Sequence, residues 1–250
     1  CAENLRDAGG ARAAAGICRS VFSQPASESI RIAAWRGLVL RDAQSAPDLV
    51  RTALSGQDRP LQRAALGVLR ELNDPSIVAG CLRDWDELPA ESQIALLDAS
   101  VRCGKEPLPI VRKALASSNL ALRITALDAL ADLPDPSSIP SVVKIAARGE
   151  PSEREAAART LGRIRGPGVR EALFDAVETT DPVEKAALLR ALGARGDRQA
   201  GGVLLRFAGA EARPVRLAAL ESLRRLALPE TLAPLLDLAA KAKSEDEIDP

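Results

Sequence analysis

Histidine and tyrosine are absent from this chain of 250 residues, and aromatic side chains make up only 2% of it. Without His there is no Ser-His-Asp or Cys-His nucleophile system, no imidazole general base and no His-ligated catalytic zinc. Neither sign of charge is in excess: 34 Lys and Arg face 34 Asp and Glu, so the formal net charge is zero. No field spans the surface to gather nucleic acid or an anionic membrane. Charges interrupt every apolar stretch within about ten residues, well short of the roughly 18 that suggest a membrane span. The chain therefore reads as soluble and non-catalytic, with no cofactor and no metal expected.

Cysteine is sparse. Cys1, Cys18, Cys81 and Cys103 form no CxxC pair, so neither a zinc ribbon nor a thioredoxin-type redox pair is suggested. They read as buried or idle thiols, with Cys18 and Cys81 too far apart along the chain's repeat to be bridged. Cys1, as first residue, is also compatible with the lipid-modified start of a mature lipoprotein, although helix-like sequence follows it without a polar tether.

What is abundant is small and aliphatic, and it recurs. Ala34, Ala65, Leu96, Ala126, Ala157, Leu188 and Ala219 are spaced by 31, 31, 30, 31, 31 and 31 residues; this reference position is called n below. One turn later, at n + 4, come Leu38, Leu69, Ser100, Leu130, Leu161, Leu192 and Leu223. Position n + 1 is apolar throughout, and n − 1 holds only Ala or Thr, from Ala33 to Ala218. This is a wide apolar stripe at helical spacing, suited to a helix packed on more than one neighbour. The small n − 1 column predicts close helix approach, so that Ala187→Phe is expected to overpack the seam.

Start signals precede these helices at Asp58-Arg59-Pro60, Glu150-Pro151, Asp181-Pro182 and Arg213-Pro214, each supplying a cap or a first-turn Pro. Shorter amphipathic segments lie between them: Pro47–Leu54, Ile77–Trp85, Ile110–Leu115, Ile139–Ala147, Val169–Val177, Val203–Ala208 and Leu232–Ala240. Breakers such as Asn73-Asp74-Pro75 and Gly166-Pro167-Gly168 turn the chain between the two. Each unit is predicted to be a helical hairpin, and a single hairpin cannot cover a two-sided stripe, so hairpins must stack.

The run Val215-Arg216-Leu217-Ala218-Ala219-Leu220-Glu221-Ser222-Leu223 resembles the second helix of HEAT repeats. The 31-residue period is similar to the compact HEAT-like repeats first named from phycobilisome lyases. The resemblance covers essentially the whole chain and implies an all-α fold, an α-solenoid or superhelix of about seven two-helix repeats forming a single array over 1–250. Ser100 departs from the pattern. At the ends, Ala11–Phe22 reads as a first helix preceded by Gly9-Gly10, with Leu5–Ala8 like the tail of an earlier one. Leu232–Lys243 reads as a first helix whose mate is announced by Asp249-Pro250. The sequence thus reads as a piece of a longer protein.

Two polar columns are candidates for function. Arg31, Gln62, Gln93, Arg123, Arg154, Lys185 and Arg216 stand at n − 3; the resemblance implies that they bond to neighbouring loops and helix ends, with Asp181 a local partner for Lys185, and anion binding is the alternative. Arg36, Asp98, Asp128, Arg159, Arg190 and Glu221 stand at n + 2, pointing away from the stripe and free to meet a partner. Ile94 and Ile124 lie one turn earlier on that face. HEAT-like arrays line their concave surface with second helices, and aliphatic anchors ringed by charge suit protein recognition. The candidate partner-binding set is Arg36, Ile94, Asp98, Ile124, Asp128, Arg159, Arg163, Arg190 and Glu221, and its partner is another protein or another domain of the same parent chain. Charge reverses from Asp98, Asp128 and Asp132 to Arg154, Arg159, Arg163, Arg165 and Arg170, which would orient a partner.

Other readings are a chromophore-lyase-like enzyme or its partner subunit, and nucleic-acid binding through the Arg-rich second half, as in HEAT-like DNA glycosylases. The missing aromatics weigh against the latter, and the missing His excludes the HEAT-like di-iron hydroxylases. Trp35, Trp85, Phe22 and Phe207 are expected in the core.

Overall fold

The computed structural model describes residues 8–104 and 107–246, and among these the regular structure is entirely helical. Cys1, the tail at 5–7 and the Asp249-Pro250 signal lie outside the described residues. The chain divides into two compact units, Cys1–Ile110 and Val111–Pro250. In the first, α1 (Ala8–Phe22) pairs with α2 (Glu28–Arg41), α3 (Ala46–Ser55) with α4 (Arg59–Glu71), and α5 (Pro75–Leu82) with α6 (Ala90–Cys103). The division falls within α7 (Leu108–Leu115), which leads to α8 (Leu120–Leu130). The second unit continues with α9 (Ile139–Arg148), α10 (Pro151–Arg163), α11 (Val169–Thr179), α12 (Pro182–Arg195), α13 (Ala200–Ala208), α14 (Arg213–Leu226) and α15 (Leu232–Asp246). The fold within each unit is an all-α, solenoid-type stack of hairpins.

Local chemistry sets the boundaries. Asp58 accepts from Leu61 N at 3.1 Å, Asp74 from Ser76 N at 2.8 Å and Asn119 from Leu122 N at 3.1 Å. Asp181 takes Val183 N and Glu184 N at 2.9 and 3.1 Å. Each satisfies amides that a helix start leaves without partners. Gly166 (φ 136°) and Gly168 (φ 72°) turn the chain between α10 and α11 through the region closed to most L side chains. Gly9 and Gly10, by contrast, are helical and belong to α1. Trp85 sits past the end of α5 in a short 3-10 turn, Trp85–Glu87, and is still buried.

The repeat columns sort by burial. All seven residues at n and all seven at n + 4 are buried. Ser100 fits among the leucines because its hydroxyl donates to Leu97 O at 2.7 Å, leaving no unpaired polar group inside. At n + 1, five residues are buried, but Ala158 and Leu220 are exposed. The n − 1 column departs from expectation: Ala95, Ala156 and Ala218 are buried, Ala64, Thr125 and Ala187 half-buried, and Ala33 exposed. Ala187 borders an open pit rather than a seam. A close approach between second helices lies at another position, where Gly193 of α12 meets Ser222 of α14 so tightly that a Cβ on Gly193 would overlap it. Phe22 and Phe207 are only half-buried, unlike the two tryptophans, because Phe207 turns its ring face to Lys185 at 5.0 Å and Arg206 at 5.7 Å.

Candidate interaction face

The n − 3 side chains are largely consumed by the fold. Arg31 pairs with Asp58 at the start of the next second helix. Gln62 and Gln93 donate to Leu54 O at 3.1 Å and Trp85 O at 2.7 Å. Arg123 pairs with Glu153 of the next repeat and donates to Ser117 O at 2.8 Å, and Arg216 donates to Ala210 O at 2.6 Å. Lys185 covers Phe207, while Asp181, expected beside it, pairs with Arg148 instead. The reach of Arg across the turn is longer than one helical step, so the neighbouring repeat wins over the local partner.

Hydroxyls and arginines that the sequence did not single out join successive second helices. Thr160 of α10 donates to Leu127 O of α8 at 2.7 Å, and Ser222 of α14 to Leu189 O of α12 at 2.9 Å; both stand at n + 3 and both donate to a carbonyl at n + 1. Arg102 donates to Leu69 O at 2.8 Å, and Arg195 to Leu161 O at 2.9 Å and Ile164 O at 2.6 Å. Arg195 is half-buried; burial, with Arg165 and Arg170 nearby, pulls its guanidinium down to about 10. In the loop before α9, Asp135 is buried and accepts from Arg112 at 2.9 and 2.7 Å, from Ser137 at 2.7 Å and from Ser138. Arg112 foremost, then the two hydroxyls, hold its carboxyl well below the usual range. Arg123 holds Glu153 down in the same way. These perturbed groups are bonded into the hairpin joints rather than gathered in a cleft.

The candidate partner-binding residues divide between the units. In the first, Arg36 is exposed and pairs with Glu71 of the next second helix; Ile94 is half-buried and Asp98 exposed on α6. In the second, Ile124 is half-buried on α8. Asp128 and Arg159 meet at 3.5 Å, Asp132 and Arg163 at 2.9 Å, and Arg190 and Glu221 at 3.7 Å. Arg159 also reaches Glu155 at 3.3 Å. The expectation that the n + 2 charges stand free is thus corrected: in the second unit successive second helices bring n + 2 opposite n + 2 and n + 6 opposite n + 6, with opposite signs together, whereas in the first Arg36 at n + 2 meets Glu71 at n + 6. The acidic-then-basic run along the sequence becomes a row of lateral pairs. Arg165 is spent on Gly162 O and Ile164 O, and Arg170 on Asp197 and Gln199, so the Arg-rich stretch offers less unpaired charge than its composition suggests. The Asp128–Arg159, Asp132–Arg163 and Arg190–Glu221 pairs are about half exposed or more, where an ion pair contributes only about 0 to 1 kcal/mol.

Between α9, α10, α12 and α14 the face is broken by a pit of about 270 Å³, floored by alanines and rimmed by Arg190, Glu221 and Arg225. Of these, Arg225 and the alanines were not foreseen. The signal was Ala158, the one residue at n + 1 with a side chain as small as a methyl. Among the described residues, no group of three or more Cys, Asp or Glu is arranged to hold a metal ion, and no helix is long and apolar enough to cross a membrane. Cys18, Cys81 and Cys103 are free thiols, and burial pushes Cys81 up to about 12.

A family model described as HEAT repeats matches residues 108–189 and 170–248, together more than half of the chain. No curated protein matches it. Among solved structures, human deoxyhypusine hydroxylase in complex with glycerol is similar over 90% of this chain and 94% of that one, at 17% identity and a TM-score of 0.36. An engineered protein is similar over 89% and 92%, at 18% identity and a TM-score of 0.28.

Proposed function

The chain belongs to the HEAT-repeat family, and on that premise we propose that it is a non-catalytic scaffold holding another protein, or a neighbouring domain of its own parent chain, on the exposed face of its second helices. The observation that carries this reading is the row of lateral pairs in the second unit: Asp128–Arg159, Asp132–Arg163 and Arg190–Glu221 are exposed, loosely held and set beside half-buried Ile124. Pairs that contribute so little to folding are readily exchanged for a partner's charges, and in a desolvated contact such groups confer orientation and choice of partner. A lyase-like role has less support, because the perturbed groups Asp135, Glu153 and Arg195 are bonded into joints, and the shift of Cys81 is that of a buried thiol. Within the family, the 31-residue ruler favours the compact type of repeat first named from phycobilisome lyases.

The test is affinity capture from the source cells with wild-type chain and with a variant in which Asp128, Arg159 and Arg190 are reversed in charge. Loss of the captured proteins from the variant is the expected result. Recovery of the same set by both overturns the assignment of this face.

A further inference from the structure

The pit in the second unit is lined in part by the one residue at n + 1 reduced to a methyl. At n + 1, Leu66, Leu97, Leu127 and Leu189 are buried and Trp35 does the same in the first repeat, whereas Ala158 replaces that bulk with a methyl. Ala158 lines the pit together with Ala146 of α9 and Ala187, Ala191 and Ala194 of α12. Cavities of about 150 Å³ take a benzene ring, so about 270 Å³ accommodates a Phe or Leu side chain. The floor makes no polar demand: the hydroxyl of Ser222 beside it is already given to Leu189 O at 2.9 Å.

The rim carries two cations, Arg190 and Arg225, against Glu221. Arg190 holds Glu221 only at 3.7 Å, both half exposed, and Arg225 has no ion-pair partner among the described residues. An apolar hole with one surplus positive charge at its mouth suits a side chain that is oily and arrives flanked by carboxylates.

We propose that this pit seats a single large apolar side chain of an acidic protein segment, whose carboxylates meet Arg190 and Arg225. The inference deepens the scaffold reading and rests on it. It names the anchor point and the chemistry of the partner: an aromatic or leucine residue within a run of Asp and Glu. A filled apolar pocket surrounded by rim contacts that exclude water is where binding energy concentrates.

The experiment uses the full chain and three fluorescein-labelled decapeptides, read by fluorescence anisotropy at physiological salt: one with a central Phe among Asp and Glu, one with Ala in place of Phe, and one with Lys in place of the acids. The Phe peptide is expected to bind. The Ala peptide is expected to bind about tenfold more weakly, as burial of one large apolar side chain implies, and the Lys peptide not at all. Ala158→Leu, which restores the bulk found in the other repeats, is expected to weaken the Phe peptide by about the same tenfold factor, and Arg225→Glu to weaken it further. Thermal melting checks that Ala158→Leu folds, and Ala187→Leu on the opposite wall repeats the test if it does not. Failure of the Phe peptide to bind, equal binding of the Phe and Ala peptides, or unchanged binding to the filled-pit variant each overturns the proposal. If the pit variants are silent while charge reversal of Asp128 and Arg159 alone abolishes capture, the pit falls and the scaffold reading stands. If the Phe peptide binds as expected but capture survives the reversal, the broader face falls instead.

Discussion

Both units tie hairpins with ion pairs, but the first keeps its carboxylates half-buried, at Arg31–Asp58 and Arg51–Asp84, and adds bulk and neutral amides, whereas the second buries its carboxylates and adds small hydroxyls. In the first, Trp35 and Trp85 fill the core, and Gln62, Gln93 and Ser92 tie loop carbonyls to second helices. Leu54 O alone accepts from both Gln62 and Ser92. In the second, the corresponding work falls to Asp135 with Arg112 and Glu153 with Arg123, both carboxylates buried, and to the hydroxyls of Thr160 and Ser222. One repeat length therefore constrains spacing but not the chemistry of the joint. Any group that satisfies the helix-end carbonyls and fills the gap between hairpins will serve, because those are the quantities that cost free energy when left unmet.

The contrast is broken most severely from the first unit. Trp85→Ala should cost about 3 to 5 kcal/mol, since a buried indole and its contacts go with no compensation. Both tryptophans lie in the first unit, so Trp35 emission reports that unit while far-ultraviolet circular dichroism reports all helices. In this variant the emission shift is expected to precede the loss of helix on heating; coincident transitions would mean that the two units unfold as one.

In the second unit, Asp135→Ala should cost about 1 to 3 kcal/mol, because it removes the acceptor of the buried Ser138 hydroxyl and the bonds from half-exposed Arg112. Faster amide exchange in α9 than in α3 would localise the effect. The pH dependence follows from the same residues. Their folded-state acidities lie below the ordinary carboxylate range, Asp135 through Arg112 and Glu153 through Arg123. Their contribution is complete above about pH 4 to 5 and is lost as pH falls through and beneath that range. In the first unit Asp42 and Asp58 are also held low, by hydrogen bonds from Ser45 and Arg31, but these carboxyls are only half-buried; acidification should therefore lower the helix signal before it shifts tryptophan emission, and simultaneous changes would erase the distinction between the units.

Smaller effects sharpen the account of the seams. Ala156→Phe, at a buried n − 1 position, should cost about 1 to 3 kcal/mol by overpacking, whereas Ala187→Phe turns into the pit and should leave the melting temperature nearly unchanged. Equal destabilisation by the two would return the n − 1 column to a uniform role. Ser222→Ala should cost about 1 kcal/mol, the worth of one buried hydrogen bond, and Gln62→Ala should match it if amide and hydroxyl joints are equivalent.

Much of the fold is legible in the residues because it depends on near neighbours. Asp58, Asn119 and Asp181 cap what they precede, and the n and n + 4 columns recur at one turn and are all buried. The candidate face was legible only in part. Position n + 2 does lie outward, as Arg159 and Arg190 demonstrate by their exposure, yet nothing within one repeat says that Asp128 will stand across from Arg159. Nor does the Lys185 segment say that Phe207, twenty-two residues on, displaces Asp181 as its neighbour.

The helices, their ends, the 31-residue ruler and the inward stripe follow from local residues alone, as consequences of hydrogen bonding and apolar periodicity over a few positions. Which alanines are covered, which charges neutralise one another and where the pit opens emerge from packing between repeats. Those outcomes depend on how far one second helix is shifted along its neighbour, and that shift is set by side chains a whole repeat apart, such as Gly193 yielding to Ser222.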